Sequence, residues 1–173
     1  ILFDEQLEAL FYNYTTVAIM LIIFGIAFII VETMHHGKKP KVRHLTGITY
    51  KLAFYIGLFQ LIAAIFPGTS RSGATILGAL LIGVSREVAA EFTFFLAVPA
   101  MFGGSAIKIL KYSGGFNSAE VALLAIGMIV AFVLSIIAIK FLMSYIKKHD
   151  FKVFGWYRIV LGIAVIGYFL ATR

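Results

Sequence analysis

The sequence predicts an all-α, polytopic integral membrane protein. Of its 173 residues, 61% are hydrophobic and only 13% are charged, and the mean hydropathy is +1.00. A soluble domain needs about 25% charged residues to cover its surface, so lipid must cover much of this chain. The apolar residues are concentrated in long stretches separated by short charged segments. These observations predict a single membrane domain, residues 1–173, with four transmembrane helices plus one re-entrant helical hairpin.

The four predicted spans are predominantly apolar stretches of about the length that crosses a bilayer, roughly 20 residues. Pro99 predicts a kink in the second span, and Trp156 with Tyr157 is typical of an anchor at the membrane interface. The predicted spans cover about residues 15–33, 88–109, 120–143 and 154–170.

The charges between the spans predict the orientation of the chain. Residues 35–44 and 147–152 are rich in Lys and Arg, which the positive-inside rule places in the cytoplasm. The acidic opening, residues 4–10, and the loop at 111–120 should then face outward. This arrangement requires residues 50–84 to start and finish on the cytoplasmic side. Because the second limb of that segment has about ten residues, too few to cross the bilayer, the sequence predicts a re-entrant hairpin.

Composition also excludes several classes of partner. The chain has 15 Lys and Arg against 8 Asp and Glu, a formal net charge of +7. In a membrane protein this excess belongs to cytoplasmic loops, and no basic run is interleaved with aromatic residues, so nucleic acid is not an expected partner. The chain has no cysteine, which excludes disulfides and thiolate metal sites.

The predicted tip of the hairpin, PGTSRSGAT at residues 67–75, concentrates hydrogen-bond donors at membrane depth. Pro67 and Gly68 break the first limb, and the second limb begins with hydroxyl side chains and Arg71. The N–H groups at the start of a helix bind anions, and a guanidinium can grip phosphate oxygens with two hydrogen bonds. The tip therefore predicts a phosphate or pyrophosphate site. The residues of the tip expected to surround such an anion are Gly68, Thr69, Ser70, Arg71, Ser72, Gly73 and Thr75.

Other interpretations of the tip stay open. Serine and threonine at a helix start are often only N-caps, and Arg71 could be structural, paired with Glu87 or Glu91. The spacing GTSRSGAT is close to a P-loop, but Ala74 stands at the position of the essential lysine, and no buried strand precedes it. Nucleotide binding is therefore not expected.

Residues 67–75 resemble the signature Pro-Gly-x-Ser-Arg-Ser-x-x-Thr of the bacterial undecaprenyl-diphosphatase family, the bacitracin-resistance phosphatases, at every fixed position. GVSREVAAEFTFFLAVP, residues 83–99, and the final spans are also similar to the family. The likeness covers essentially the whole chain but corresponds to the C-terminal two-thirds of a typical member. Because the chain opens with Ile1 and not Met, a missing N-terminal portion is left open.

The resemblance implies a multi-pass enzyme of the bacterial cell (inner) membrane, with its site facing the periplasm or outside. Its substrate would be undecaprenyl diphosphate, a polyprenyl diphosphate lipid, hydrolysed to undecaprenyl phosphate and phosphate to recycle the lipid carrier of peptidoglycan synthesis. The family also implies a divalent cation, Mg²⁺ or Ca²⁺. Arg71 would hold the diphosphate, while Ser70 and Thr75 would position phosphate oxygens, so the resemblance implies that these three are the catalytic residues. The substrate-binding residues would be Gly68, Thr69, Ser72, Gly73 and Gln60. The sequence does not identify the nucleophile, and a homo-oligomer is an open alternative to a monomer.

One part of the family pattern is missing from this chain. Members carry an earlier hairpin with Glu-x-x-x-Glu and then Pro-x-Ser-Ser-x-Gly-His, implicated in metal binding and in base or nucleophile duty. Glu5 and Glu8 do not match that spacing, whereas Gln60 and Ala64 fall where the two glutamates would be in an inverted repeat. The chain is thus expected to be half of an inverted-repeat architecture and to supply the phosphate-binding half of the site. It is also expected to hold no metal and to be inactive alone. The alternatives are half of a lipid-phosphate transporter or flippase, or an inactive diphosphate-binding fragment.

Overall fold

The computed structural model describes residues 11–112, 114–115 and 117–172. Within that part of the chain there are six α-helices and, apart from one isolated bridge between Val42 and Val84, no β-structure. A short 3-10 turn at Leu45–Gly47 precedes the second helix. The helices are α1 (Tyr14–His35), α2 (Tyr50–Ile65), α3 (Arg71–Ile82), α4 (Arg86–Lys111), α5 (Ser118–Lys148) and α6 (Lys152–Ala171).

Four of these helices, α1, α4, α5 and α6, are long and apolar enough to cross a membrane, which confirms the all-α, polytopic class. Each contains one of the predicted spans and extends a few residues beyond it. Pro99 lies inside α4 without ending it. The acidic opening, including Glu5 and Glu8, lies outside the described residues.

The two short helices match the expected limbs of the hairpin. α2 has 16 residues and α3 has 12, and residues 66–70 join them. They pack closely, since a Cβ added at Gly78 would lie 2.3 Å from Cγ of Phe59. The depth of this hairpin in a bilayer, and the facing of its tip, stay predictions.

The half-helix α3 lies at the centre of the molecule. Residues 73–80, eight of its twelve, are buried, and neighbouring residues of α1, α2 and α4 pack around it. A helix that is buried on most of its faces must be short of charge along its length, and α3 has a charged residue only at its first position, Arg71. The core therefore fixes the position of the arginine.

Helices α1 and α6 pack along their length. A Cβ added at Gly162 would lie 2.8 Å from the carbonyl oxygen of Ala18, so only glycine permits this approach. In contrast, Cβ atoms added at Gly103 and Gly104 would meet nothing within 4 Å. These two glycines of α4 therefore do not mark a helix contact within the described residues.

An ion pair closes the end of the bundle that carries the basic segments. Glu32, near the end of α1, is 1% exposed and accepts from Nε and Nη2 of Arg86, at the start of α4. The backbone N–H of Phe151, just before α6, also donates to Glu32, at 3.1 Å. One carboxylate thereby joins three helices.

Helix α5 is the least covered element. Its residues 118–141 are exposed throughout, and Ile146 is its one buried residue. Because this surface is apolar, in a membrane it is expected to face lipid or another protein segment.

Candidate functional site

The loop between α2 and α3 has an unusual backbone that its neighbours hold in place. Gly68 has φ of +92°, and a Cβ there would lie 2.5 Å from the carbonyl oxygen of Val17. Ser70 also has a positive φ, +61°, the one non-glycine residue in the described chain that does. Such a conformation costs about 1–3 kcal/mol and persists only where surrounding contacts enforce it. The loop is thus a strained turn that directs Ser70 and Arg71 together to one side.

Beside this turn lies a cavity of about 290 Å³. On one side it is bounded by the residues that the sequence singled out at the hairpin, and on the other by small residues of α4. Five of the eight predicted site residues contribute. The lining consists of Gln60, Ser70, Arg71, Ser72, Thr75, Thr93, Ala97 and Ala100.

Arg71 is free to bind a ligand. Its side chain is exposed at the N-terminus of α3, and within the described residues it has no ion-pair or side-chain hydrogen-bond partner. The alternative that Arg71 pairs with Glu87 or Glu91 is therefore not met, and the ion pair found among the described residues joins Arg86 to Glu32 at the other end of α3. The positive end of the α3 dipole adds to the guanidinium charge and favours an anion at this position.

The hydroxyl groups of the lining are already partly engaged. The Ser70 Oγ accepts from the Gly73 N–H at 3.3 Å, which makes it the N-cap of α3, and it lies 3.2 Å from the Ser72 Oγ. The Thr75 Oγ1 donates to the Arg71 carbonyl at 2.7 Å. A hydroxyl has one proton, so Thr75 in this conformation offers the cavity only lone pairs. Ser70 and Ser72 can turn their protons toward a phosphate oxygen.

Three of the predicted binding residues do not line the cavity. Thr69 is fully buried, and its Oγ1 donates to the Phe66 carbonyl at 2.9 Å. Gly68 packs on Val17, and Gly73 packs on a side chain of α6. These residues lie on the inner side of the loop and help to fix its shape, and their contact with substrate stays a prediction.

No sequence motif pointed to Arg158, which contacts the loop from α6. Its Nη1 donates to the Thr69 carbonyl at 2.7 Å, and its guanidinium lies 5.5 Å from the centre of the Phe28 ring. A Cβ added at Gly73 would be 2.6 Å from Arg158 Nη2. The signal was present in the sequence, because an arginine inside an apolar span is as unusual at this position as at position 71. Thr93, Ala97 and Ala100 were also missed, and no motif in the sequence marks them.

The lining does not by itself fit a divalent cation. Mg²⁺ and Ca²⁺ take carboxylate and carbonyl oxygens, whereas this lining contains no carboxylate or histidine and includes a guanidinium that would repel a cation. Nowhere among the described residues do three His, Asp or Glu side chains come close enough to hold a metal. The arrangement is instead suited to neutralising the charge on a phosphate group.

Comparison with known proteins gives the family. The sequence model of the family described as "Bacitracin resistance protein BacA" matches residues 1–164. The chain belongs to this family. It is 66% identical over 171 residues to an undecaprenyl-diphosphatase of Desulfitobacterium hafniense, a match over 99% of this chain and 62% of that protein. It is also similar to the undecaprenyl-diphosphatase 1 of Clostridium acetobutylicum, at 64% identity over 97% of this chain and 61% of the relative. A relative from Enterococcus faecalis is 58% identical over 97% of this chain and 62% of its own length.

Membership of the BacA family confirms the resemblance that the sequence showed at residues 67–75. The chain spans about 62% of the length of the D. hafniense relative. The matches run over nearly all of this chain. They give no support to the expectation that residues 1–173 are an inactive half, which stays an untested prediction.

Proposed function

We propose that the complete gene product hydrolyses undecaprenyl diphosphate to undecaprenyl phosphate and inorganic phosphate. The observation that carries the proposal is the cavity at the N-terminus of α3, where the unpaired guanidinium of Arg71 and the hydroxyls of Ser70 and Ser72 converge. Its lining bears one positive charge and no negative charge, which is complementary to a diphosphate. The activity named for the curated relatives of the family supports the same substrate.

The proposed chemistry follows from where negative charge develops. Attack of water on the terminal phosphorus breaks the bond to the bridging oxygen, which leaves as part of undecaprenyl phosphate, while the attacking water loses a proton. Charge accumulates on the bridging and terminal oxygens, and the Arg71 guanidinium with the α3 N-terminus would stabilise it. Ser70 and Ser72 would orient the terminal phosphate by donating to its oxygens.

The residues of the cavity supply charge neutralisation but no general base. Since the described lining has no carboxylate or histidine, we propose that a base and any divalent cation come from outside this lining. The apolar chain of the substrate would lie along the exposed apolar helices, with its diphosphate in the cavity. The site is proposed to face the periplasm or the outside of the bacterial cell membrane, in keeping with the basic loops at the opposite end.

The test is phosphate release by the complete gene product carrying Arg71→Ala. Loss of a preorganised cation at the developing charge should lower kcat/KM by about 100- to 1,000-fold. Arg71→Lys should retain part of the activity because the charge stays but the two-pronged geometry is lost. Lys108→Ala, which removes an exposed cation of α4, is the matched control and should release phosphate at the wild-type rate.

Near-normal turnover by a correctly inserted Arg71→Ala protein would contradict the assignment. The transporter alternative predicts movement of the lipid between vesicle leaflets without release of phosphate. The same assay on residues 1–173 alone tests the division of roles, because phosphate release by this chain would show that it contains its own base.

A further inference from the structure

A second, larger cavity lies at the opposite end of α3 from Arg71. Its volume is about 510 Å³, within the range of roughly 300–1,000 Å³ that is usual for small-molecule sites. Helix α3 is 12 residues long, so its two ends are separated by roughly 18 Å. This cavity is therefore distinct from the proposed catalytic site. We call it the basic cavity, after its lining of Lys38, Lys39, Lys41, Arg43, Arg86 and Lys147.

The positive charge of the basic cavity is largely uncompensated. Of its two carboxylates, Glu32 is buried and already bonded to Arg86 and to the Phe151 N–H. Glu87 is exposed and has no ion-pair partner among the described residues. Arg86 uses Nε and Nη2 for Glu32, and its Nη1 has no partner in the described chain. A ligand of this cavity must therefore be anionic.

The basic segment is held rigidly over the end of α3. The backbone N–H of Lys41 donates to the Gly83 carbonyl at 2.8 Å, and the Ser85 N–H donates to the Val42 carbonyl at 2.9 Å. These bonds fix the backbone of Lys41 and Val42 beside the C-terminal end of α3. A backbone held in this way loses less entropy when a ligand binds than a mobile loop would.

The floor of the same cavity is apolar. It is formed by apolar side chains of three helices: Val31 of α1, Leu80 and Ile82 of α3, and Ile146 of α5. Val31, Leu80 and Ile146 are buried. An apolar floor under a cationic rim is complementary to an amphiphile with an anionic head. A soluble phosphate would use the rim and leave the floor without a partner.

We propose that the basic cavity binds the phosphate headgroup of an anionic membrane phospholipid, with the first part of its acyl chains on the apolar floor. The location agrees with this occupant, because four apolar helices place their ends at the membrane surface, where such headgroups lie. The proposal does not depend on the proposed function, since none of the lining residues belongs to the cavity at Arg71.

The experiment measures binding of phosphatidylglycerol to the complete gene product in neutral detergent by native mass spectrometry, with phosphatidylcholine for comparison. Lys39→Gln with Lys147→Gln removes two charges from the rim. Each Lys or Arg near an anionic lipid strengthens binding by about 5-fold, so this pair should weaken it by about 30-fold. Lys148→Gln with Lys152→Gln removes the same charge at the same end but outside the lining, and should bind as the wild type does.

The proposal would be overturned if both double variants bound phosphatidylglycerol equally weakly, or if both bound it as the wild type does. It would also be overturned if the wild-type protein retained phosphatidylcholine as well as phosphatidylglycerol. A third arm replaces the lipid with inorganic phosphate. Binding of phosphate that depends on Lys39 and Lys147 and displaces phosphatidylglycerol would assign the cavity to a soluble anion instead. If the first pair does not fold, Lys38→Gln with Lys39→Gln serves the same purpose. Phosphate release from undecaprenyl diphosphate is recorded in parallel, so that failure of this proposal is distinguished from failure of the proposed function.

Discussion

The contact between Arg158 and the strained loop leads to the most specific prediction. Arg158→Met keeps the length and the apolar stem of the side chain but removes the bond to the Thr69 carbonyl and the contact with the Phe28 ring. A hydrogen bond from a charged group contributes about 1.5–3 kcal/mol, and the cation–π contact about 0.5–1 kcal/mol more. These ranges add to about 2–4 kcal/mol, and we take the lower bound, about 2 kcal/mol, as the stabilisation that the loop loses.

A loss of this size should change activity through the shape of the loop. Ser70 has φ of +61°, a conformation that relaxes when the surrounding contacts weaken. A shift of about 2 kcal/mol lowers the population of the competent loop by up to about 30-fold, and kcat/KM should fall to the same extent. Phosphate release from a polyprenyl diphosphate in detergent measures this change, and thermal unfolding reports how much of it is global destabilisation.

A double-mutant cycle separates the proposed anchor from a general packing effect. Gly73→Ala places a Cβ 2.6 Å from Arg158 Nη2, so it should displace the guanidinium and lose the same bond. Gly103→Ala is the matched control, since its Cβ would meet nothing within 4 Å. With Arg158→Met already present, Gly73→Ala should add little, and the double variant should stay near a 30-fold loss. Independent losses that multiply to about 1,000-fold would refute the reasoning, as would full activity of Gly73→Ala.

Two further predictions concern stability and the shape of the turn. Glu32→Ala leaves the Arg86 guanidinium and a buried N–H without their partner, so it should lower the free energy of unfolding by about 2 kcal/mol. The loss is smaller than for a fully buried pair because the Arg86 side chain is 36% exposed. Glu87→Ala, the control at an exposed carboxylate, should change the melting temperature little, and equal effects of the two substitutions would contradict the structure. Gly68→Ala would place a Cβ 2.5 Å from a backbone oxygen at a residue with φ of +92°, so it should abolish phosphate release. Gly57→Ala, whose Cβ would have no atom within 4 Å, should be tolerated. An active Gly68→Ala protein would show that the turn is not as described.

Much of the site could be predicted from residues 67–75 because its parts are neighbours in the chain. Pro67 and Gly68 end α2, Ser70 caps α3, and Arg71 follows directly, so local backbone chemistry places three of these groups within a few residues of one another. Arg71 could be singled out because a charge in an apolar segment is costly. The direction in which each loop residue points could not be predicted. Thr69 faces inward and Ser70 outward, although both are hydroxyl residues in the same motif.

The composition and spacing of the sequence by themselves determined that this is a helical membrane protein with a broken helix, because lipid requires long apolar helices and a proline followed by glycine cannot continue one. Only the tertiary structure decided which faces meet. Arg158 reaches a loop 89 residues earlier in the chain, and Glu32 joins residues 54 and 119 positions later. Helices that are apolar on all sides carry no periodic signal for the face that packs, so these partners are chosen by the shape of the assembled bundle and not by any local pattern.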